Sequence, residues 1–198
     1  MKKTIFMAIV IMVQLMTQLY AGGDIAVEIH ESEHLESTHE ESKFYIIVAG
    51  LMVLGESYQH EDVLLEGDRD YGIGIDIGYR LGYGFAVEYD FTYATDRVSE
   101  TKLGVTEEST GKYYTSAFDI VYTYEMFEGF GLFGKVGYEF EWESVVQFDI
   151  DTQGHGFVFG TGIEVHLNEH YKFIAEFEHS LIKGPRGDSL FAGLMYNF

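Results

Sequence analysis

The sequence predicts an all-β chain, an eight-stranded antiparallel up-and-down transmembrane β-barrel. Three observations predict it. From Lys43 onward the side-chain pattern repeats with a period close to two, the period of a strand. The segments joining these runs alternate between short and long. The final stretch, D-S-L-F-A-G-L-M-Y-N-F from Asp188 to Phe198, alternates strictly, with Leu190, Ala192, Leu194, Tyr196 and Phe198 on one face. A strand facing hydrocarbon has reason to finish on an aromatic, because aromatics sit at the edge of the apolar band.

The eight strands are expected at 43–54, 71–81, 83–93, 113–124, 130–143, 154–167, 171–180 and 189–198. Each is close to the ~9–11 residues that a tilted strand needs to cross a bilayer. The links at Gly82, 125–129 and 168–170 are short. Those at 55–70, 94–112, 144–153 and 181–188 are longer and polar. Short turns on one side and long loops on the other are the arrangement of outer-membrane barrels, and an even strand count puts both ends on the inner side.

The faces separate a membrane barrel from a soluble one. The third strand sets Tyr83, Phe85, Val87, Tyr89, Phe91 and Tyr93 against Gly84, Ala86, Glu88, Asp90 and Thr92. The fifth sets Phe130, Leu132, Gly134, Val136, Tyr138, Phe140 and Trp142 against Gly131, Phe133, Lys135, Gly137, Glu139, Glu141 and Glu143. A large apolar face with aromatics toward its ends fits lipid and its two interfaces. A face of small and charged residues fits a narrow lumen, since eight strands leave an interior only wide enough for side chains to fill. The first strand does not sort, because Phe44 to Leu54 is apolar on both sides.

Composition narrows the function classes. The 198 residues carry a formal net charge of -21, which leaves no basic footprint for nucleic acid. There is no cysteine, hence no disulfide and no thiolate metal site. The start, M-K-K-T followed by the apolar run Ile5–Met16 and a polar stretch ending at Ala21, has the order of a secretory signal peptide over 1–21. That run is shorter than the ~20 residues of a spanning helix. Residues 22–42 form an acidic leader on the periplasmic side. Its His30, His34 and His39 are a conceivable metal site, but a solvated segment is the expectation. The barrel domain is then 43–198.

Tyr71-Gly72-Ile73-Gly74-Ile75-Asp76-Ile77-Gly78-Tyr79-Arg80-Leu81, the following Gly84–Tyr89, and Gly160–Val165 resemble the OmpA/OmpX-like outer-membrane β-barrel superfamily of small porin-like proteins. The C-terminus is similar to the family's assembly signal, with Gly193, Tyr196 and Phe198 at the matching positions; Phe191 stands where the family usually has a polar residue. The resemblance implies export to the cell outer membrane and contact with its lipid and lipopolysaccharide. It also implies handling by the barrel-assembly machinery through the last strand. A monomer without cofactor or bound metal is expected.

By strand parity the lumen holds nine acids: Asp76, Glu88, Asp90, Asp119, Glu139, Glu141, Glu164, Glu176 and Glu178. Arg80, Lys135 and Lys172 face them, with His166 as a possible fourth cation. Charges in a closed core must pair or stay wet. A lumen closed by its own ion pairs implies a structural or surface-interaction role. An open, acidic one implies a small cation-preferring channel, since like-charge rings select the opposite ion. An enzyme is the remaining class. The lipid A deacylase family carries His-x-Ser and a following Asn on its penultimate strand. Here His179 and Ser180 are adjacent and Asn is missing, so the two side chains are expected on opposite faces and no catalytic residue is assigned. The stretch from Ser57 to Asp70, with His60, Glu61, Asp62, Glu66, Asp68 and Asp70, is acidic enough to hold a divalent cation, though a solvated loop is expected.

Overall fold

The computed structural model describes residues 43–60 and 63–198; the expected signal peptide and the expected acidic leader with His30, His34 and His39 lie outside the described residues. Ten strands occur. They are β1 Phe44–Val53, β2 Ser57–His60, β3 Val63–Gly67, β4 Asp70–Gly82 and β5 Phe85–Lys102, followed by β6 Val105–Phe127, β7 Phe130–Val145, β8 Ile150–His166, β9 Tyr171–Ser180 and β10 Ser189–Asn197. All pairings are antiparallel. Eight of the strands run β5-β4-β1-β10-β9-β8-β7-β6, and β6 pairs back onto β5, which closes the ring. Closure removes the free edges that a sheet in hydrocarbon cannot leave unpaired.

The alternation of side chains decides the two surfaces. Ile73, Ile75 and Ile77 of β4, Phe85, Val87, Tyr89 and Phe91 of β5, and Phe118, Ile120 and Tyr122 of β6 are all exposed on the outside. Across the closing seam three aromatic pairs stack up the lipid face. Phe85 meets Tyr122 at 4.9 Å, Tyr89 meets Phe118 at 4.9 Å and Tyr93 meets Tyr114 at 5.0 Å between ring centroids. Directly opposed aromatic pairs of this kind fix a register as well as adding contact. The outer edge of the apolar band lies at the level of Tyr93, Tyr114 and Trp142, above which Thr95, Lys112 and Ser144 follow.

β1 is apolar on both sides because both sides are dry. Tyr45, Ile47, Ala49, Leu51 and Val53 are buried inside, while Phe44 and Val48 face lipid. Tyr45, Ile47 and Ala49 join Ala86, Val121, Phe133, Ile174 and Met195 in one apolar cluster within the periplasmic half of the lumen. Phe191, the departure from the assembly-signal pattern, packs on this cluster and on a second one of Leu51, Val53 and Ala94. Gly78 gives the Tyr45 ring its place: a Cβ there would stand 2.0 Å from a ring carbon. Gly78→Ala is therefore expected to lose about 1–3 kcal/mol by overpacking, read from urea unfolding of the refolded barrel.

Two of the long links are not loops. The 94–112 segment continues β5 and β6 beyond the membrane edge to a two-residue turn at Leu103-Gly104, whose φ values of 52° and 80° are those of a type I′ hairpin. Within 55–70, β2 and β3 form a hairpin that pairs with the outer half of β5. Both faces of this extension meet water over most of its length, so the apolar alternation that marks a half-buried strand is absent from its sequence.

Candidate functional site

The site is the lumen and the cap over its outer mouth. All nine acids placed inside by parity are buried there: Asp76, Glu88, Asp90, Asp119, Glu139, Glu141, Glu164, Glu176 and Glu178. β4 and β5 bring Asp76 opposite Asp90, β5 and β6 bring Glu88 opposite Asp119, and β9 supplies Glu176 and Glu178. Lys135 of β7 sits at the centre. Its Nζ lies 2.9 Å from Asp90 Oδ2, 2.9 Å from Glu176 Oε1 and 3.5 Å from Glu178 Oε2. Gly137 and Gly160 leave the room these chains need; a Cβ on Gly160 would stand 2.5 Å from the Lys135 stem.

Toward the periplasm the remaining cations are at the rim. Lys172 donates to Glu164 at 2.9 Å, and His166, exposed, lies 3.7 Å from the same carboxylate. Arg80 donates to Asn197 Oδ1 at 2.6 Å and lies 4.7 Å over the Tyr45 ring, whose hydroxyl donates to Glu88. A cavity of about 110 Å³ opens here, walled by Ile47, Val121, Phe133 and Ile174 and bordered by Arg80 and Lys172.

The other end holds the residue that sequence parity missed. The 181–188 link turns inward, and Arg186 is buried in the outer mouth with its Nη2 2.7 Å from Glu139 Oε1 and its Nε 2.8 Å from Glu141 Oε2. Ser180 donates to the other Glu139 oxygen at 2.8 Å. Three backbone bonds hold the inserted segment to the β1–β2 link. Leu54 N–H donates to Asp188, Gly55 N–H to Arg186 and Glu56 N–H to Pro185, at 2.8–3.0 Å. Val53, Val98, Tyr113, Val145 and Pro185 are buried around it and complete a dry layer. Strand parity cannot find Arg186, because it lies on no strand. The one sequence signal was the unmatched acid count, which left room for a further cation.

His179 faces outward, its Nδ1 2.6 Å from Asp188 Oδ1, while Ser180 faces the lumen. The two do not form a nucleophile–base pair. At the C-terminus Gly193 packs against the β1 backbone, where a Cβ would stand 2.4 Å from the Val48 oxygen. Tyr196 lies between the Tyr171 and Phe198 rings, at 5.2 and 5.1 Å.

A closed antiparallel ring, apolar outside and charged inside, is the geometry of a bacterial outer-membrane barrel. A family model for the outer membrane protein beta-barrel domain matches residues 32–198. The chain belongs to this family. No curated protein matches the sequence. Among solved structures, OprG from Pseudomonas aeruginosa is 15% identical over 80% of this chain and 97% of its own, with a TM-score of 0.64. Neisserial surface protein A (NspA) is 16% identical over 79% of this chain and 98% of its own, with a TM-score of 0.58. Ail of Yersinia pestis, in complex with the heparin analogue sucrose octasulfate, is 18% identical over 80% of this chain and 98% of its own, with a TM-score of 0.52. At these identities the likeness is one of fold, and it agrees with the OmpA/OmpX-like barrel read from the strands.

Proposed function

We propose that this protein is a largely closed barrel with a structural or surface-interaction role, working through the segments that stand outside the membrane. The observation that carries this is the inserted cap. Arg186 locks onto Glu139 and Glu141 in the outer mouth, and Lys135 ties three strands together beneath it. A charge-assisted, two-point guanidinium bond is among the stronger polar contacts available to a protein. The outer segments carry more carboxylates than Lys and Arg, among them Glu66, Asp68, Glu100, Glu107 and Glu108. Such a surface favours a cationic partner, or lipopolysaccharide bridged by divalent cations, over a sulfated polyanion of the kind bound by Ail. Signal-peptide removal after Ala21, handling by the assembly machinery through β10, and a monomeric state belong to the same reading.

The chain has no cysteine, so one introduced thiol reports access to the lumen. Thr115, buried beneath the cap and hydrogen-bonded to Thr92, is the position to use. Thr115→Cys is expected to resist a membrane-impermeant maleimide in the folded barrel, and to react when Arg186→Gln is added. Fast labelling with Arg186 in place would sink the closed-lumen reading.

A second reading has an observation of its own. Nine buried carboxylates face four cations, Arg80, Lys135, Lys172 and Arg186, and an acid excess in a wet lumen passes cations in preference to anions. Catalysis has no comparable support, with His179 and Ser180 on opposite faces.

A further inference from the structure

Above the apolar band, one ionisable group takes no part in the lumen network. Asp96 stands on β5 three residues beyond Tyr93, and its relative exposure is 0%. Neither of its carboxyl oxygens has a hydrogen-bond partner. The backbone N–H groups of Asp68 and Arg97 lie near enough to favour its charged form, but Asp68 N–H is given to the Arg97 carbonyl at 2.9 Å. Across Gly67 the carboxyl faces the inserted cap. A Cβ on Gly67 would stand 2.3 Å from Asp96 Oδ2 and 2.0 Å from the Pro185 carbonyl oxygen, so the two oxygens crowd one point. The Pro185 oxygen already accepts Glu56 N–H at 2.8 Å and has a second lone pair to satisfy.

Two buried acceptors set against each other need a donor between them. An un-ionised carboxyl supplies one; a carboxylate cannot. The surrounding charges point the same way. Asp68 and Asp70 approach from the β3–β4 side, and Tyr113 of β6 has its hydroxyl on Glu143 of β7. Arg97 projects outward from the opposite face of β5, and Arg186 is committed to Glu139 and Glu141.

We infer that Asp96 is a proton-operated latch on the cap: protonated, its O–H donates to the Pro185 carbonyl and holds 184–187 in the mouth, and ionised, it loosens that segment. The inference rests on the closed-lumen reading. Burial, with the nearby Asp68 and Asp70 charges adding to it, pushes the Asp96 carboxyl up to about 8. Because the closed-state value lies above the ordinary carboxyl value, the latch is fully engaged below about pH 4 and is lost progressively as pH rises to about 8. Within that window the closed-to-open ratio is expected to fall by up to about tenfold per pH unit.

The test is opening frequency of the refolded, full-length mature barrel in a planar bilayer, titrated from about pH 5 to about pH 9 across that window. Wild type is expected to be quiet at the acid end and to open increasingly toward the alkaline end. Asp96→Asn, which keeps the shape and offers an N–H donor to Pro185, is expected to stay quiet throughout. Asp68→Asn, a change at an exposed neighbour, is expected to move the midpoint to lower pH and serves if Asp96→Asn does not refold. Opening that still rises with pH in Asp96→Asn overturns the latch. Silence of wild type at both ends overturns the latch and leaves the closed lumen standing. Steady conductance at the acid end, unchanged on titration, overturns both.

Discussion

Lys135→Met is expected to cost about 3–5 kcal/mol of barrel stability, the largest loss from any single change in the lumen. Among the described residues Lys135 is the one cation within ion-pair distance of Asp90, Glu176 and Glu178 together, and all four residues are buried. The methionine retains most of the stem volume, so the loss is electrostatic: buried carboxylates remain with no partner within reach. Urea unfolding in detergent or lipid, followed by tryptophan fluorescence of Trp142, reads it. Adding Glu176→Gln to Lys135→Met is expected to recover part of the loss, because it removes one of the stranded charges. Equal stabilities for wild type and Lys135→Met would mean that the lumen is wet enough to solvate these acids without the lysine.

Val136→Arg, one residue further along β7, is expected to cost about 2–4 kcal/mol for the opposite reason. Val136 is 43% exposed on the outer face, beside Ile120 and Phe159 on the neighbouring strands. In a bilayer that exposure is to hydrocarbon, where a guanidinium finds neither water nor counter-charge. Thermal or urea midpoints of the refolded variant in lipid read the effect, and Val136→Leu is expected to match wild type. Tolerance of arginine at 136 would mean that the face taken as lipid-facing is not. Together the two changes test neighbouring residues on opposite faces, and each fails by a mechanism that the other position does not share.

How much of this was legible beforehand follows from what each element buries. β7 reads clearly because one face meets lipid and the other meets glycine, lysine and glutamate, so Val136 and Lys135 sort without a structure. β9 reads clearly for the same reason, and its bounds, Tyr171 and Ser180, match the alternating run. β1 does not sort, because Ile47 and Leu51 fill the lumen while Val48 faces lipid, and an apolar residue serves both surroundings. The outer parts of β5 and β6 are hidden by the reverse case. Thr101, Thr106 and Glu108 meet water, leaving the valines and threonines and the Leu103-Gly104 turn as the clues. Parity placed the acids but not the cap, since Arg186 reaches the lumen from a link and no periodicity governs a link.

The closed lumen is the centre of the account, and single-channel recording on the refolded mature barrel tests it most directly. The recording is made at acidic pH with a salt gradient across a planar bilayer. Wild type is expected to be folded and inserted yet silent, with conductance steps once Arg186→Gln releases Glu139 and Glu141. Reproducible cation-selective steps from wild type under the same conditions would contradict it, and would make the acidic lumen a conducting path.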